Sequence, residues 1–316
     1  MVQDKILIFG HGQMANFLLN YFTAKNIPIL ISPADITDIV QAEKAVVEYQ
    51  PTVVINAAAK TNLEWCAQNK LQTFNVNVLG ANNIAQVCDE KKVYFVHFSS
   101  GCILASINEN DAKTETDIPA PISYYSWTKV WAENLIPFRK SQNFQCLILR
   151  PRQPVSAEVN YKNMLVKMLT FTQFIETPNN GTVIEDLMVW MDKLIKKRVT
   201  GVVHVANGGW TTPYEIGLLL KKYVLPELPV NKMTKDELNT HTPEMRVDTI
   251  LNNDKLVSLI GEVKPYKQRL EEIIIQLADN FKKADPELIK VQMEKTLAQT
   301  KTRATPNDVW PNLLKK

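Results

Sequence analysis

A tyrosine and a lysine four residues apart could together transfer a proton. The segment Tyr125-Ser-Trp-Thr-Lys129 lies in a stretch that we predict to be helical, and residues i and i+4 share one face of a helix. An ammonium beside a phenol is expected to lower the phenol pKa, so Tyr125 could exchange a proton near neutral pH. Ser100, at the end of a predicted strand, could hydrogen-bond a carbonyl that is being reduced. The alternative is an ordinary pair on a helix surface.

A glycine-rich loop follows the first apolar run of the chain. Its pattern is GxGxxA, in Gly10, His11, Gly12, Gln13, Met14 and Ala15. In such a loop the first glycine permits a tight turn and the second lets the backbone approach a pyrophosphate, which the helix N-terminus attracts. Glycine pairs also occur in plain turns, but the position at the first strand–helix junction favours dinucleotide binding.

The end of the second apolar run bears on which dinucleotide is bound. It reads Ile31-Ser32-Pro33, without the acidic residue that would bind the ribose 2′-hydroxyl of NAD. We therefore expect NADPH/NADP+, with Ser32 and His11 as hydrogen-bond donors. NADH stays possible, because no arginine is close enough in sequence to bind a 2′-phosphate.

Short apolar runs alternate with amphipathic stretches and must position these groups. The predicted strands are 5–9, 28–31, 53–56, 94–98, 146–149 and 202–206. The predicted helices are 13–25, 38–49, 70–90, 124–141, 163–174 and 214–224. This alternation predicts an α/β fold with a Rossmann-type doubly wound parallel sheet and a smaller C-terminal substrate lobe.

Three regions are expected along the chain. Residues 1–152 would form the Rossmann domain, which binds NAD(P). Residues 153–277 would form the substrate lobe and return one or more strands to the main sheet, and 278–316 would form a helical C-terminal extension. The motifs fall at the carboxyl ends of the predicted strands, where ligands of such sheets bind.

Composition excludes several other functions. The chain has 316 residues, 45% of them hydrophobic and 22% charged, as in an ordinary globular protein, and its net charge of +3 is too small to predict nucleic-acid binding. No apolar run reaches the roughly 18–20 residues of a membrane span. The four cysteines lack CxxC spacing, so no metal site is predicted, and unpaired thiols favour a cytoplasmic location.

The order and spacing of these motifs resemble the short-chain dehydrogenase/reductase superfamily from residue 1 to about 275. The motifs that carry the resemblance are the Gly10 loop, Asn56-Ala57-Ala58-Ala59, Asn77, Ser100 and the Tyr125/Lys129 pair. The resemblance implies that Asn56, Ala57, Ala58 and Ala59 border the cofactor and that Asn77 braces the active-site strand. It also implies that Asp35 and Ile36 contact the adenine. The alternative for Asp35 is an N-cap of a helix over 36–49.

Within that superfamily the chain looks like the UDP-rhamnose synthases over residues 5–275. The segments that match are Asn62-Leu-Glu-Trp65-Cys66, Asn75-Val-Asn77-Val-Leu-Gly80, Ser100-Gly101-Cys102-Ile103 and Asn163-Met-Leu-Val-Lys167. The resemblance implies a 3,5-epimerase/4-reductase that converts UDP-4-keto-6-deoxyglucose to UDP-β-L-rhamnose with NADPH. The glycine loop and the C-terminal extension depart from this family.

The resemblance also implies roles for the remaining site residues. Cys102 and Lys167 would be the acid/base pair that inverts C3 and C5, whose protons are acidic because they flank a ketone. Simple 4-reductases carry Asp-Tyr in place of Gly101-Cys102. Asn163 and Arg246 would hold the nucleoside-diphosphate end of the substrate. Without the family, Cys102 reads as a small buried hydrophobe and Lys167 as a solvated lysine.

Other functions stay open at this point. The chain could be a reductase that acts on an already epimerised dTDP or UDP sugar. It could also be a catalytically retired reductase that serves as a regulatory binding subunit, although Ser100, Tyr125 and Lys129 argue for activity. The expected partner is a nucleotide-diphosphate-sugar substrate, with no nucleic acid and no membrane, and a homodimer is possible.

Overall fold

The computed structural model describes residues 3–138, 144–242, 244–300 and 307–315. The strands are β1 (Ile6–Phe9), β2 (Ile29–Ser32), β3 (Val53–Asn56), β4 (Tyr94–Phe98), β5 (Cys146–Arg150), β6 (Pro154–Val155), β7 (Gln173–Ile175), β8 (Thr182–Val183), β9 (Gly201–His204) and β10 (Asn231–Met233). The α-helices are α1 (Gln13–Ala24), α2 (Ile39–Tyr49), α3 (Leu63–Gln68), α4 (Lys70–Phe74), α5 (Ala81–Lys91), α6 (Tyr124–Phe138), α7 (Met164–Met168), α8 (Ile184–Lys196), α9 (Pro213–Tyr223), α10 (Lys235–His241), α11 (Asp254–Ile260), α12 (Tyr266–Lys283) and α13 (Pro286–Thr300). A π-helical turn spans Asn75–Gly80, and 3₁₀ turns span Gly101–Ile103 and Trp310–Lys315.

The main sheet has the strand order β2-β1-β3-β4-β5-β9, and all its pairings are parallel. Strands β1, β3 and β4 are buried at every residue. Helices cover both faces, so these strands read as continuous apolar runs rather than alternating ones. The predicted doubly wound α/β fold is confirmed. From β1 the chain continues to β2 on one side, and it then crosses over to β3 on the other side of β1. The ends of β1 and β3 therefore lie at a switch point, where ligands of such sheets bind.

Two helix predictions are wrong, because one helix is interrupted and the other ends early. The helix predicted over 70–90 is interrupted by the π-helical turn Asn75–Gly80, and π turns frequently occur at functional sites. The helix predicted over 163–174 ends at Met168, because the following residues turn so that β7 pairs with β10 and Phe174 enters the core of the substrate lobe. The helix predicted over 124–141 is described as far as Phe138, and its predicted end lies outside the described residues.

A second apolar cluster forms the core of the substrate lobe. It contains residues of α7, α9, α12 and α13. Strand β9 belongs to this half of the sequence, but it pairs with β5 in the main sheet. Helix α12 runs without a break across residue 278, and the domain boundaries expected from the sequence stay a prediction. Among the described residues, no helix combines the length and the apolar character needed to cross a membrane.

A buried ion pair ties α6, which carries Tyr125 and Lys129, to the end of β5. Arg150 Nη2 lies 2.6 Å from Glu133 Oε2, and both side chains are less than a tenth exposed. We expect Glu133→Leu to lower the free energy of unfolding by about 3–5 kcal/mol, because it leaves a buried guanidinium without its counter-charge. Urea unfolding measures this loss. The matched double variant Glu133→Leu/Arg150→Met should recover most of it, and equal stability of the single variant and the wild type would contradict the prediction.

Candidate active site

The loop after β1 forms an open cradle beside the end of β3. Gly10 has a φ of +113°, and a Cβ at this position would lie 2.6 Å from the amide nitrogen of Ala58, so the two loops are in contact. A Cβ at Gly12 would meet no heavy atom of the described residues within 4 Å, apart from its chain neighbours. The first turn of α1 therefore opens onto free space, and its backbone N–H groups suit a pyrophosphate. The cradle fits a dinucleotide cofactor.

The residues on either side of Gly12 connect this loop to the substrate lobe and to the core of the main sheet. His11 is exposed, and Gln13 Nε2 donates to Glu158 Oε2 at 3.5 Å, which links the loop to the substrate lobe. Met14 packs at the edge of the apolar core of the main sheet, and Ala15 is fully buried beneath it. A small residue at this position permits the close helix–strand packing that such loops need.

The end of β2 places three predicted cofactor residues in one turn. Ser32 is buried, and its hydroxyl accepts from the backbone amide two residues further on. Asp35 Oδ1 accepts from both the amide and the hydroxyl of Thr37. The alternative that Asp35 caps the next helix is wrong, because Asp38 caps α2 with its own carboxylate. Ile36 is buried against the π-helical turn.

The end of β3 carries a polar pair within apolar surroundings. Asn56 Oδ1 accepts from the amide of Ala58 at 3.0 Å, which leaves its Nδ2 facing His97 Nδ1 at 3.2 Å. Burial holds the pKa of His97 well below its usual range, so the imidazole is neutral. Nδ1 accepts the bond from Asn56, and the proton on Nε2 has no partner among the described residues. Ala57 and Ala59 continue this strand end and are half-buried.

Asn77 connects the loop after β3 to the helix that carries the tyrosine. Its Oδ1 accepts from the amide of Lys60 at 2.8 Å, and its Nδ2 donates to the carbonyl of Lys60 and to Thr128 Oγ1. Thr128 in turn donates to the carbonyl of Tyr125 at 2.7 Å. The π-helical turn Asn75–Gly80 directs the buried Asn77 toward α6, so this residue positions the first turn of α6 against the sheet.

Two hydroxyl groups contact the sulfur of Cys102, and a third continues the chain of hydrogen bonds. Ser100 and Ser126 both donate to Cys102 Sγ, at 3.0 and 3.2 Å. The Ser123 hydroxyl lies 2.8 Å from that of Ser126 and continues the chain of hydrogen bonds. Hydrogen bonds that donate to a sulfur stabilise negative charge on it. Gly101 is buried within the 3₁₀ turn that presents Cys102.

Tyr125 and Lys129 lie on the same face of α6, Tyr125 half-buried and Lys129 buried. Burial raises the pKa of Tyr125 above its ordinary value, neighbouring Cys102 raises it further, and a hydrogen bond between Tyr125 and Ser100 opposes the rise. The expectation that Lys129 lowers the phenol pKa is therefore wrong, because desolvation of the phenol is the largest cause of the shift. Burial also lowers the pKa of Lys129 to about 8. Lys129 Nζ donates to the carbonyl of Phe98 at 3.0 Å, so Tyr125 is a neutral phenol beside a fixed amine.

Arg150 at the end of β5 and Arg152 just after it have different roles. Arg150 is held by Glu133 in the ion pair described above. Arg152 Nη2 donates to Asn179 Oδ1 and to a backbone carbonyl, which are neutral acceptors, and its buried Nε has no partner among the described residues. Burial lowers the pKa of Arg152, and negative charge on Cys102 opposes this. Arg152 thus places a cation beside the thiol.

Lys167 and Arg246 line one cavity of about 180 Å³ in the substrate lobe. Most of the cavity wall is apolar, from α7, β7, α9 and α12. Arg246 Nη2 also lies 2.9 Å from Glu64 Oε1 of α3, which joins the substrate lobe to the main sheet. Cys102 does not belong to the lining of this cavity. The structure therefore groups Ser100, Cys102, Tyr125 and Lys129 in one site and Lys167 with Arg246 in the wall of a cavity in the substrate lobe.

Asn163 is buried at the start of α7. Its Oδ1 accepts from the amide of Leu165, and its Nδ2 donates to the carbonyls of Ser156 and Glu158. The side chain therefore caps α7 and ties it to the preceding loop. Its predicted contact with substrate stays a prediction.

Sequence reasoning missed Ser126, Thr128 and Arg152 as parts of this site. Ser126 and Thr128 occupy the variable positions between Tyr125 and Lys129, where a motif search does not look. Helical spacing offered a signal for Ser126, because it follows the buried Ser123 by three residues on the same face. Arg152 could be assigned to the site only from the fold, which shows that Arg150 is the arginine that meets a carboxylate.

Comparison with known proteins places this site in a family. Residues 4–278 match the family model described as RmlD substrate binding domain. The bifunctional dTDP-4-dehydrorhamnose 3,5-epimerase/dTDP-4-dehydrorhamnose reductase of Arabidopsis thaliana is 27% identical over 72% of this chain and 77% of its own length. A trifunctional UDP-glucose 4,6-dehydratase/UDP-4-keto-6-deoxy-D-glucose 3,5-epimerase/UDP-4-keto-L-rhamnose-reductase of the same plant is 29% identical over 72% of this chain. The chain spans about a third of that relative, 35% of its length.

Solved structures share the fold. The UDP-rhamnose synthase of Acanthamoeba polyphaga mimivirus superposes with a TM-score of 0.81 at 23% identity, over 87% of this chain and all of the other. The dTDP-4-dehydrorhamnose reductase of Bacillus anthracis, solved in complex with NADP, gives a TM-score of 0.76 at 20% identity, over the same shares of the two chains. At these identities the structures establish the Rossmann-like fold, in agreement with the sheet order given above.

Proposed function

The chain belongs to the RmlD substrate binding domain family, and we propose that it is an NADPH-dependent oxidoreductase acting on a nucleoside-diphosphate 4-keto-6-deoxy sugar. More closely, we propose a 3,5-epimerase/4-reductase that converts UDP-4-keto-6-deoxyglucose to UDP-β-L-rhamnose. One observation carries this proposal: Cys102 Sγ accepts two hydroxyl hydrogen bonds in the same site as Tyr125 and Lys129. A reductase alone has no need of a thiol in that position.

The cofactor would lie along the ends of β1 and β3. Gly10 and Gly12 would hold its pyrophosphate, Asn56–Ala59 would border it, and Lys129 would bind near its reactive end. When bound, NADPH supplies the hydride for reduction. Asn77 and Thr128, which are buried and hydrogen-bonded to each other, would hold α6 in place beside the cofactor.

The reduction step requires a proton donor at the C4 oxygen. Tyr125 is protonated at neutral pH because burial raises its pKa, so its phenol can transfer a proton as the ketone becomes an alcohol. The Ser100 hydroxyl, which interacts with Tyr125, would donate a hydrogen bond to the same oxygen. The phenolate that this transfer leaves on Tyr125 would be stabilised by the ammonium of Lys129, which is fixed by the carbonyl of Phe98.

The epimerisation step requires two groups on opposite faces of the sugar. The C3 and C5 protons are acidic because the carbanion is delocalised into the C4 carbonyl, and inversion needs one group to remove the proton and another to return it. Cys102 would serve on one face, with Ser100, Ser126 and the cation of Arg152 stabilising negative charge on its sulfur. Lys167 would serve from the substrate lobe.

A reductase without epimerase activity is the second candidate. The observation that favours it is the separation of the two groups, because the cavity lined by Lys167 does not include Cys102 in its wall. Such an enzyme would accept only the already epimerised ketone. The homodimer and the cytoplasmic location expected from the sequence also stay predictions.

Two incubations, one without and one with a separate epimerase, distinguish the two candidates. The chain is supplied with UDP-4-keto-6-deoxyglucose and NADPH, with and without a separate 3,5-epimerase. The bifunctional enzyme oxidises NADPH in both mixtures and forms UDP-β-L-rhamnose. Oxidation that requires the added epimerase would leave the reductase alone, and no oxidation in either mixture would overturn both candidates. The dTDP form of the ketone, run in parallel, tests the base preference.

We expect reduction to fail at alkaline pH because of Lys129. The pKa of this lysine is lowered to about 8, so its ammonium is complete below that pH and is lost above it. Assayed on the already epimerised ketone, kcat/KM should fall about tenfold for each pH unit above 8. The variant Lys129→Met should have a low rate that lacks this alkaline fall. A wild-type rate that is constant up to about pH 10 would contradict the assignment.

A further inference from the structure

Helix α7, which carries Lys167, cannot be stable by itself. It has five residues, from Met164 to Met168, whereas helices shorter than about 12–15 residues are marginal in water. Asn163 caps its N-terminus with a side-chain oxygen. Its C-terminal carbonyls need partners as well, because the last turn of a helix leaves them without intrahelical donors.

The carbonyls of Val166, Lys167 and Met168 accept from the amides of the three residues that follow the helix, and the carbonyls of those three residues are bound from the far end of the chain. Asn307 Nδ2 donates to the carbonyl of Leu169 at 2.8 Å and to that of Phe171 at 3.1 Å. The backbone amide of Asn307 donates to the carbonyl of Thr170 at 3.0 Å. Asn307 is 6% exposed and Leu169 is fully buried, so water cannot replace these bonds without opening the lobe. Asn307 therefore donates hydrogen bonds to the three consecutive carbonyls that follow α7.

Helix α13 holds the same segment from a second side. Gln292 Oε1 accepts from the amide of Tyr161, just before α7, at 2.9 Å. Thr300 lies 3.4 Å from Thr170, hydroxyl to hydroxyl, and Thr300 also lines the cavity of Lys167. Met293 is fully buried in the apolar cluster to which α7 contributes. The contacts made by α13 and Asn307 thus surround α7 at both ends and beneath it.

We infer that helix α13 and Asn307 form a positioning element of the active site, which holds the turn after α7 and thereby sets Lys167 in the cavity wall. The role of Lys167 in this inference rests on the proposed epimerase function. The match to the family ends at residue 278, so this device belongs to the part of the chain that the family model does not cover. Asn307 and Gln292 act through α7 and are positioning residues.

The variant Asn307→Asp tests the inference with little change of shape. Asn307 Oδ1 accepts from the amides of Val309 and Trp310, and aspartate keeps these bonds. It loses both donations to the carbonyls after α7 and sets a carboxylate oxygen against them. We expect deuterium uptake from D2O at C3 and C5 of the sugar to fall about tenfold in kcat, as the loss of two hydrogen bonds implies. Reduction of the already epimerised ketone should change by less than about twofold.

Hydrogen exchange of the free protein gives a readout independent of catalysis. The amides of 164–171 should exchange faster in Asn307→Asp than in the wild type, while those of β1 and β3 stay protected. Asn312→Asp is the matched control, because it adds the same charge to the same terminal turn and its side chain makes no hydrogen bond that the described residues reveal. If Asn307→Asp fails to fold, Gln292→Ala should give the same two effects, and Gln292→Glu, which keeps the acceptor for Tyr161, should restore uptake.

The outcomes distinguish this inference from the proposed function. Slower uptake and faster amide exchange, with reduction retained, support the positioning role. Uptake and amide exchange equal to those of the wild type would overturn it. A wild type that takes up no deuterium would overturn the epimerase function instead, and the exchange of 164–171 would then decide whether α13 and Asn307 order α7.

Discussion

Replacing Cys102 by alanine is expected to abolish deuterium uptake at C3 and C5 of the sugar while the chain still binds NADPH. The thiol is the only group in the Ser100–Tyr125 site to which the proposed function gives the proton transfer at carbon. Removing a positioned acid or base typically costs about 10²–10⁴-fold in rate. The reduction of an already epimerised ketone should persist, because Tyr125, Ser100 and Lys129 remain. Uptake is measured by NMR of the sugar recovered from D2O.

The control for this variant is a cysteine that lies away from the site. Cys88 is fully buried in α5, and burial raises its pKa well above the ordinary value, so it is an unreactive thiol. Cys88→Ala should leave both activities close to those of the wild type. Undiminished deuterium uptake in Cys102→Ala would remove the epimerase from the account and leave the reductase.

Replacing Tyr125 by phenylalanine is expected to have the opposite selectivity. Reduction should fall by about 10²–10⁴-fold, because the variant lacks the phenolic proton that the C4 oxygen receives. Deuterium uptake should continue, since Cys102 and Lys167 are unchanged. The ring itself is retained, so the packing of α6 against the sheet should be preserved. NADPH oxidation and deuterium incorporation are measured on the same sample.

The neighbouring Tyr124 provides the control for Tyr125. Its hydroxyl donates to the carbonyl of Lys70 on the surface of α4, outside the site. Tyr124→Phe should therefore change either rate by less than about twofold. If Tyr125→Phe lost uptake and reduction together, the two half-reactions would share one acid, and the division of roles between the phenol and the thiol would be wrong.

The strands of the main sheet could be predicted closely from the sequence. β3 and β4 begin and end where the apolar runs do, because helices cover both faces of the sheet and every strand residue is buried. Turns within helical stretches could not be predicted. The residues 70–90 have a continuous helical pattern, and the π-helical turn within them depends on contacts of Asn77 with α6. The early end of α7 depends on the pairing of β7 with β10.

The residues that carry the chemistry could be found from their motifs, but their surroundings could not. Ser100 and Cys102 are two residues apart, whereas Ser126 reaches the same sulfur from 24 residues further along the chain. Asn307 holds the turn after α7 through a hydrogen bond to the carbonyl of Leu169, 138 residues away. The pKa of Tyr125 was also beyond the sequence, because it depends on how completely the fold removes water from the phenol and not on the spacing to Lys129.

The central claim is that one chain performs both proton exchange at carbon and reduction of the ketone. The most direct test incubates the wild-type protein with UDP-4-keto-6-deoxyglucose and NADPH in D2O, with no other enzyme present. The account predicts UDP-β-L-rhamnose that carries deuterium at C3 and C5, formed in step with the NADPH consumed. A 6-deoxysugar product that carries no deuterium at these carbons, or no product until a separate epimerase is added, would contradict it.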